Sequence, residues 1–183
     1  MATIEIKKDN SSIFRLLDKE DEKQIVNFKD FRKDSILLYR VHDNYELSYR
    51  GIKHLAILMA DRGMPLSIVR SDTILDGNGN EKTWYATVLM CNEKTGQKME
   101  GVSQCPFYDE KGSQDHFART KAHSKAERNA IRKLIPEYLI TQFIKDAEEQ
   151  GKVKKIDFCQ CHTPRPEPLA KEICSTCHKV IKQ

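Results

Sequence analysis

No stretch of this chain comes near the roughly 20 consecutive apolar residues that span a bilayer. The opening MATIEIKKDN also lacks the continuous apolar core of a secretory signal. A soluble, cytoplasmic protein with reduced cysteines is the resulting expectation. The chain has no G-x-S-x-G, no Walker A and no H-E-x-x-H sequence, so three common routes to hydrolytic or phosphoryl chemistry are missing. Its lone glycine-rich patch, DGNGN at residues 76–80, lies between two strand-like runs. That position makes it a hairpin turn rather than a phosphate cradle. Nothing repeats, and there is no low-complexity tract. A non-enzymatic protein is expected.

What is present begins with charge. Of 183 residues, 32% are charged against 39% hydrophobic, enough for one domain of ordinary size plus an appendage. The net charge of +4 is compatible with a nucleic-acid partner without requiring one.

Periodicity divides the chain into an arm at 1–34, a core at 35–150 and a tail at 157–183. In the arm, Ile13, Leu16, Leu17, Ile25 and Phe28 allow short amphipathic helices, but the KEDEK run between them argues for a mobile segment. SILLYRV (35–41) reads as a buried strand. Ser48 is a good N-cap for a helix over 48–62, with Ile52, Leu55, Ala56 and Met59 on one face and Gly63 and Pro65 as its stop. Strands are predicted at 67–75, 82–91 and 97–104, the last at an edge because it carries Lys98, Glu100 and Gly101. A long helix follows over 115–135, Pro136 ends or kinks it, and a second amphipathic helix covers 138–150. Gly151 and KVKK read as a linker. The fold class is α+β: an antiparallel three- to four-stranded β-meander packed by a long helix, plus a small zinc-ribbon-like tail.

The long helix, DHFARTKAHSKAERNAIRKLI, is the most informative segment. At about 100° per residue, Ala118, Ala122, Ala126 and Ala130 form a smooth seam, and Lys121, Lys125, Arg128 and Arg132 form a cationic rail beside it. Four cations over roughly 16 Å of axis match a row of phosphates, provided the rail is wet. Trp84 and Tyr85, adjacent on the central strand, must point to opposite faces, so one at most reaches solvent to stack on a base. The expectation favours Trp84 packed under the helix.

The tail carries four of the six cysteines, in FCQC and ICSTC. So short a fragment does not bury enough surface to fold unaided, and one Zn²⁺ held by Cys159, Cys161, Cys174 and Cys177 would contribute about 10–16 kcal/mol. His162 or His178, each directly after a cysteine, is an alternative ligand. Cys91 and Cys105 read as small buried hydrophobes. His116 and His123 are read as partner-facing polar residues. Asp72, Glu100 and Asp115 could converge as a nuclease-like carboxylate cluster, though no spacing in the sequence demands it.

A sheet meander followed by a helix bearing AHSKAERNAIRKLIP (residues 122–136) resembles single-strand annealing proteins of the Rad52/ERF/RecT recombinase type. The resemblance covers roughly residues 45–140. It implies an ATP-independent homo-oligomer, ring or filament, that holds single-stranded DNA in a basic groove and anneals complementary strands in recombination or phage DNA metabolism. Under it, Lys121, Lys125, Arg128 and Arg132 would touch the backbone, with Arg70 and Lys82 as further contacts. The tail departs from that pattern. A zinc-ribbon DNA- or RNA-binding regulator that does not anneal is the alternative.

Overall fold

The computed structural model describes residues 11–26, 36–41, 44–109 and 111–156. The four tail cysteines and both tail histidines lie outside them. Among the described residues are four helices and two three-stranded sheets. The chain runs α1 (Ser11–Val26), β1 (Leu38–Val41), β2 (Asn44–Leu47), α2 (Tyr49–Asp61), β3 (Leu66–Asp76), β4 (Thr83–Asn92), β5 (Lys98–Pro106), α3 (Ala118–Leu134), α4 (Glu137–Glu149) and β6 (Val153–Lys155).

The meander forms as expected: β3, β4 and β5 pair antiparallel in that order. It stays three-stranded, because the SILLYRV strand belongs to a second sheet, ordered β2-β1-β6. There β1 pairs antiparallel with β2 and parallel with β6, with Leu38 opposite Val153. The KVKK segment expected to be a linker is therefore partly a strand. Three residues with no apolar alternation leave no mark in sequence, and their pairing depends on where α4 delivers the chain.

Local signals explain the helices. The Ser48 hydroxyl accepts the Gly51 N–H at 3.0 Å and caps α2. Gly63, at φ +71°, ends it. Pro136 separates α3 from α4, its carbonyl accepting the Leu139 N–H at 3.1 Å.

The core lies between the meander and α3. On β4 the even-numbered Ala86, Val88 and Met90 are buried beneath the helix. Ala118, Ala122, Ala126 and Ala130 are wholly buried along its seam. Alanines let the helix sit low on the sheet, and Gly101 of β5 makes the approach closer still. A Cβ built there would lie 2.0 Å from the Ala126 carbonyl oxygen and 2.4 Å from the Ala130 nitrogen. Among the described residues nothing covers the opposite face of the meander, and there Ile74, Tyr85 and Val102 are exposed.

The β5 edge is guarded. Asn129 Nδ2 donates to the Val102 carbonyl at 2.9 Å and Lys133 Nζ to the Glu100 carbonyl at 2.7 Å. Those side chains occupy acceptors that an added strand would need.

Candidate nucleic-acid interface

The cationic rail of α3 exists, but it is not wet. Segment 11–26, expected to be mobile, is a 16-residue helix laid beside α3. Its Asp18 and Glu22 reach Lys125 Nζ at 2.5 and 2.6 Å. Glu22 also lies 3.4 Å from Lys121 Nζ, which donates to Asp115 at 2.7 Å. Asp21 pairs with the Arg128 guanidinium. Lys125 is 3% exposed. The expectation of an open rail is thus corrected: three of its four cations are neutralised by carboxylates, two of them wholly from α1. Arg132 remains exposed.

The physical reason this escaped sequence reading is one residue. In α1, positions 17, 21 and 25 form the inward stripe, with Leu17 and Ile25 buried and Asp21 between them at 2% exposed. An aspartate in an apolar stripe breaks the pattern that identifies a packed helix. The fold accommodates it with three partners. Asp21 Oδ1 accepts the Tyr39 hydroxyl at 2.9 Å and the Tyr49 N–H at 2.8 Å, while Oδ2 faces Arg128. Leu17 packs on Tyr39 and Val41 of the second sheet, and Glu20 takes Lys154 of β6 at 2.5 Å. The arm is thereby tied both to α3 and to the sheet beneath it.

Burial and ion pairing together set the titration of this cluster. Desolvation pushes the Asp21 carboxyl above its ordinary value, against the pull of Arg128 and the two hydrogen bonds. Burial also acts to lower the Lys125 pKa, but hydrogen bonds to Asp18 and Glu22 outweigh it and hold the ammonium above the usual lysine value. Lys121 behaves likewise, with Asp115 the main partner. Burial pushes the Cys105 thiol up to about 11, as befits the small hydrophobe expected there. Cys91 is only half-buried.

The other candidate residues separate. Arg70 lies on the uncovered face between Asp72 at 3.1 Å and Glu100 at 3.7 Å, an exposed network of small energetic worth. Asp115 belongs elsewhere, accepting the Phe117 N–H at 2.9 Å and holding Lys121. The three carboxylates are therefore divided between two sites. His123 meets the Ser71 hydroxyl at 2.8 Å, whereas His116 is exposed. Among the described residues, no group of three or more His, Cys, Asp or Glu side chains is placed to hold a metal, and no helix is long and apolar enough to cross a membrane.

One set of residues gathers at the end of the meander next to the start of α3. Trp84 packs against the core, as expected, but its ring is half-buried and the Arg119 guanidinium lies over it at 5.6 Å. Lys82 Nζ lies 6.0 Å from the Phe107 ring centre, and Phe107 meets Tyr108 edge-on at 4.9 Å. Phe117, at the helix start, is 45% exposed. Backbone bonds hold the group together: Phe107 N–H donates to the Lys82 carbonyl at 2.8 Å and Asp115 N–H to the Phe107 carbonyl at 2.9 Å. Rings interleaved with cations at a surface suit nucleobases and phosphates. Reading the sequence picked out Lys82 and Trp84 but missed Phe107, Tyr108, Phe117 and Arg119. The aromatic spacing there has no period, because β5, a turn and a helix start bring the residues together.

Comparison with family models, known proteins and solved structures finds no match to this chain.

Proposed function

We propose that the chain binds single-stranded nucleic acid, DNA first, and promotes annealing of complementary strands as a homo-oligomer without hydrolysing a nucleotide. The observation that carries this reading is the aromatic and cationic end of the meander: Trp84 with Arg119, Phe107 with Lys82, and exposed Phe117. Annealing makes and breaks no covalent bond. It needs strands held with bases accessible and phosphate repulsion screened, which stacking rings and cations supply together. The order of a three-stranded meander followed by an alanine-seamed helix supports the same reading. In it, Lys82 and Arg132 stay as backbone contacts and Arg70 as a weaker one. Lys121, Lys125 and Arg128 hold α1 instead.

The test is anisotropy of a labelled oligo-dT, with pairing of complementary oligonucleotides followed separately. Phe117→Ala with Arg119→Ala should weaken binding roughly tenfold or more, since one lost stacking contact is worth about 1–3 kcal/mol. The circular dichroism spectrum should be unchanged, because both side chains are exposed. Equal affinity in the variant would remove the carrying observation.

For the tail, we propose Zn²⁺ bound by Cys159, Cys161, Cys174 and Cys177. Elemental analysis of the purified full chain should find one zinc per chain, lost in Cys174→Ser with Cys177→Ser. A metal-free parent protein would dismiss it.

A further inference from the structure

Helix α1 carries Arg15, Lys19 and Lys23 against Asp18, Glu20, Asp21 and Glu22. Its sequence is slightly acidic, yet the surface it presents is not. Every one of its carboxylates is engaged: Asp18 and Glu22 by Lys125, Asp21 by Arg128, Glu20 by Lys154. Its cations sit at i, i+4 and i+8, within a sector of about 80°, and all three are exposed. Lys23 also pairs with Glu20 at 2.7 Å, but at 72% exposed that pair is weak. Folding therefore turns these carboxylates toward cations of α3 and β6, while Arg15, Lys19 and Lys23 stay exposed on the outer side of α1.

This row borders a cleft of about 1040 Å³ between α1 and the end of β5, with Lys111 and Tyr108 on the facing wall. Asp18, Glu22, Asp115 and Asp109 also line the cleft. The first three already hold α3 lysines, and Asp109 accepts the Lys111 and Ser113 N–H groups of its own turn. Tyr108 meets Phe107 of the aromatic end. At the other end of the row, Arg15 shares a second cavity with Arg128 and Arg132. Cations thus line a path from Arg132 past Arg15, Lys19 and Lys23 to Lys111, finishing beside the aromatic rings.

We infer that the outer row of α1, Arg15, Lys19 and Lys23, is the surface that tracks a phosphate-bearing polyanion, and that the cleft beside it leads the strand to the aromatic end. The inference rests on the nucleic-acid reading and deepens it by assigning the backbone path to a different helix from the one the sequence points to. Successive cations stand about 6 Å apart along the helix axis, so each can engage its own phosphate.

Two probes separate this from the broader reading: oligo-dT, and inorganic polyphosphate, which has no bases. The variant Arg15→Gln, Lys19→Gln, Lys23→Gln should bind both at least tenfold more weakly at low salt. Its plot of log K against log salt for oligo-dT should be shallower by about 2, from three lost contacts at about 0.7 each. Lys145→Gln, on the exposed side of α4, should match the parent. Amine acetylation of the unmodified chain gives a second readout that does not depend on a variant folding: Lys19 and Lys23 should be protected by either probe and Lys145 by neither. If the triple variant keeps the parent affinity and slope while oligo-dT still binds, the path is wrong and the nucleic-acid reading survives. If the parent binds polyphosphate through the row but not oligo-dT, the row is a polyanion site and the nucleic-acid reading falls. Failure of the parent to bind either probe overturns both.

Discussion

Gly101→Ala should destabilise the protein by at least the about 1–3 kcal/mol typical of an overfilled core, and Gly101→Val should prevent folding. The added methyl would lie 2.0 Å from the Ala126 carbonyl and 2.4 Å from the Ala130 nitrogen. Both obstacles are helix backbone, which has no rotamer to change, so α3 as a whole must lift from the sheet. Lifting it would loosen the packing of the alanine seam on the meander and strain the side-chain bonds of Asn129 and Lys133 to the β5 edge. Urea unfolding of the variants measures the cost. Val102→Ala is the control, one residue along on the uncovered face at 59% exposed, and should stay within about 0.5 kcal/mol. If Gly101→Ala is as mild as the control, the close seating of α3 on β5 is not real.

Asp21→Ala should be the most damaging change in α1, and Asp21→Asn far milder. Alanine leaves the buried Tyr39 hydroxyl and Tyr49 N–H without their acceptor, at about 1–3 kcal/mol for each unsatisfied donor. Arg128 also loses its partner, but its side chain is 19% exposed and can turn to water. Asparagine keeps an acceptor for the two donors and removes the charge. Burial raises the carboxyl pKa, so the ionised form is the one the native state disfavours. The sign follows: relative to the unfolded chain, the native state gains as pH falls through the raised value. Thermal melts at pH 7 should show a fall of several degrees for alanine and a much smaller one for asparagine. Equal losses would mean that the ion pair with Arg128, not the hydrogen-bonded pair of tyrosines, seats α1.

Both predictions concern residues whose role the sequence misrepresents. Gly101 reads as a weakness in an edge strand, yet its missing side chain is what lets α3 settle. Asp21 reads as part of a solvated charge run, yet it is the buried polar anchor of α1. By contrast, Ser48 with Gly63, Pro136 and the DGNGN turn state their structural roles locally, and α2, the α3–α4 break and the β3–β4 hairpin follow from them. The candidate site divides the same way. The i, i+4 spacing of the α3 cations is visible in sequence, but spacing says nothing about what lies against them.

The sequence by itself determined which segments are helix and strand through most of the core, and which side of α3 is the alanine seam. Those properties depend on residues within a turn or two of each other, where backbone preferences and apolar period act directly. Tertiary structure alone decided that β1, β2 and β6 form a sheet of their own, that α1 covers three of the four rail cations on α3, and that Arg15, Lys19 and Lys23 face outward from α1. A charged side chain has no intrinsic address. Whether it meets water or an opposite charge depends on a segment that can be a hundred residues away, and here that segment brings its own carboxylates to bear on the helix that looked free.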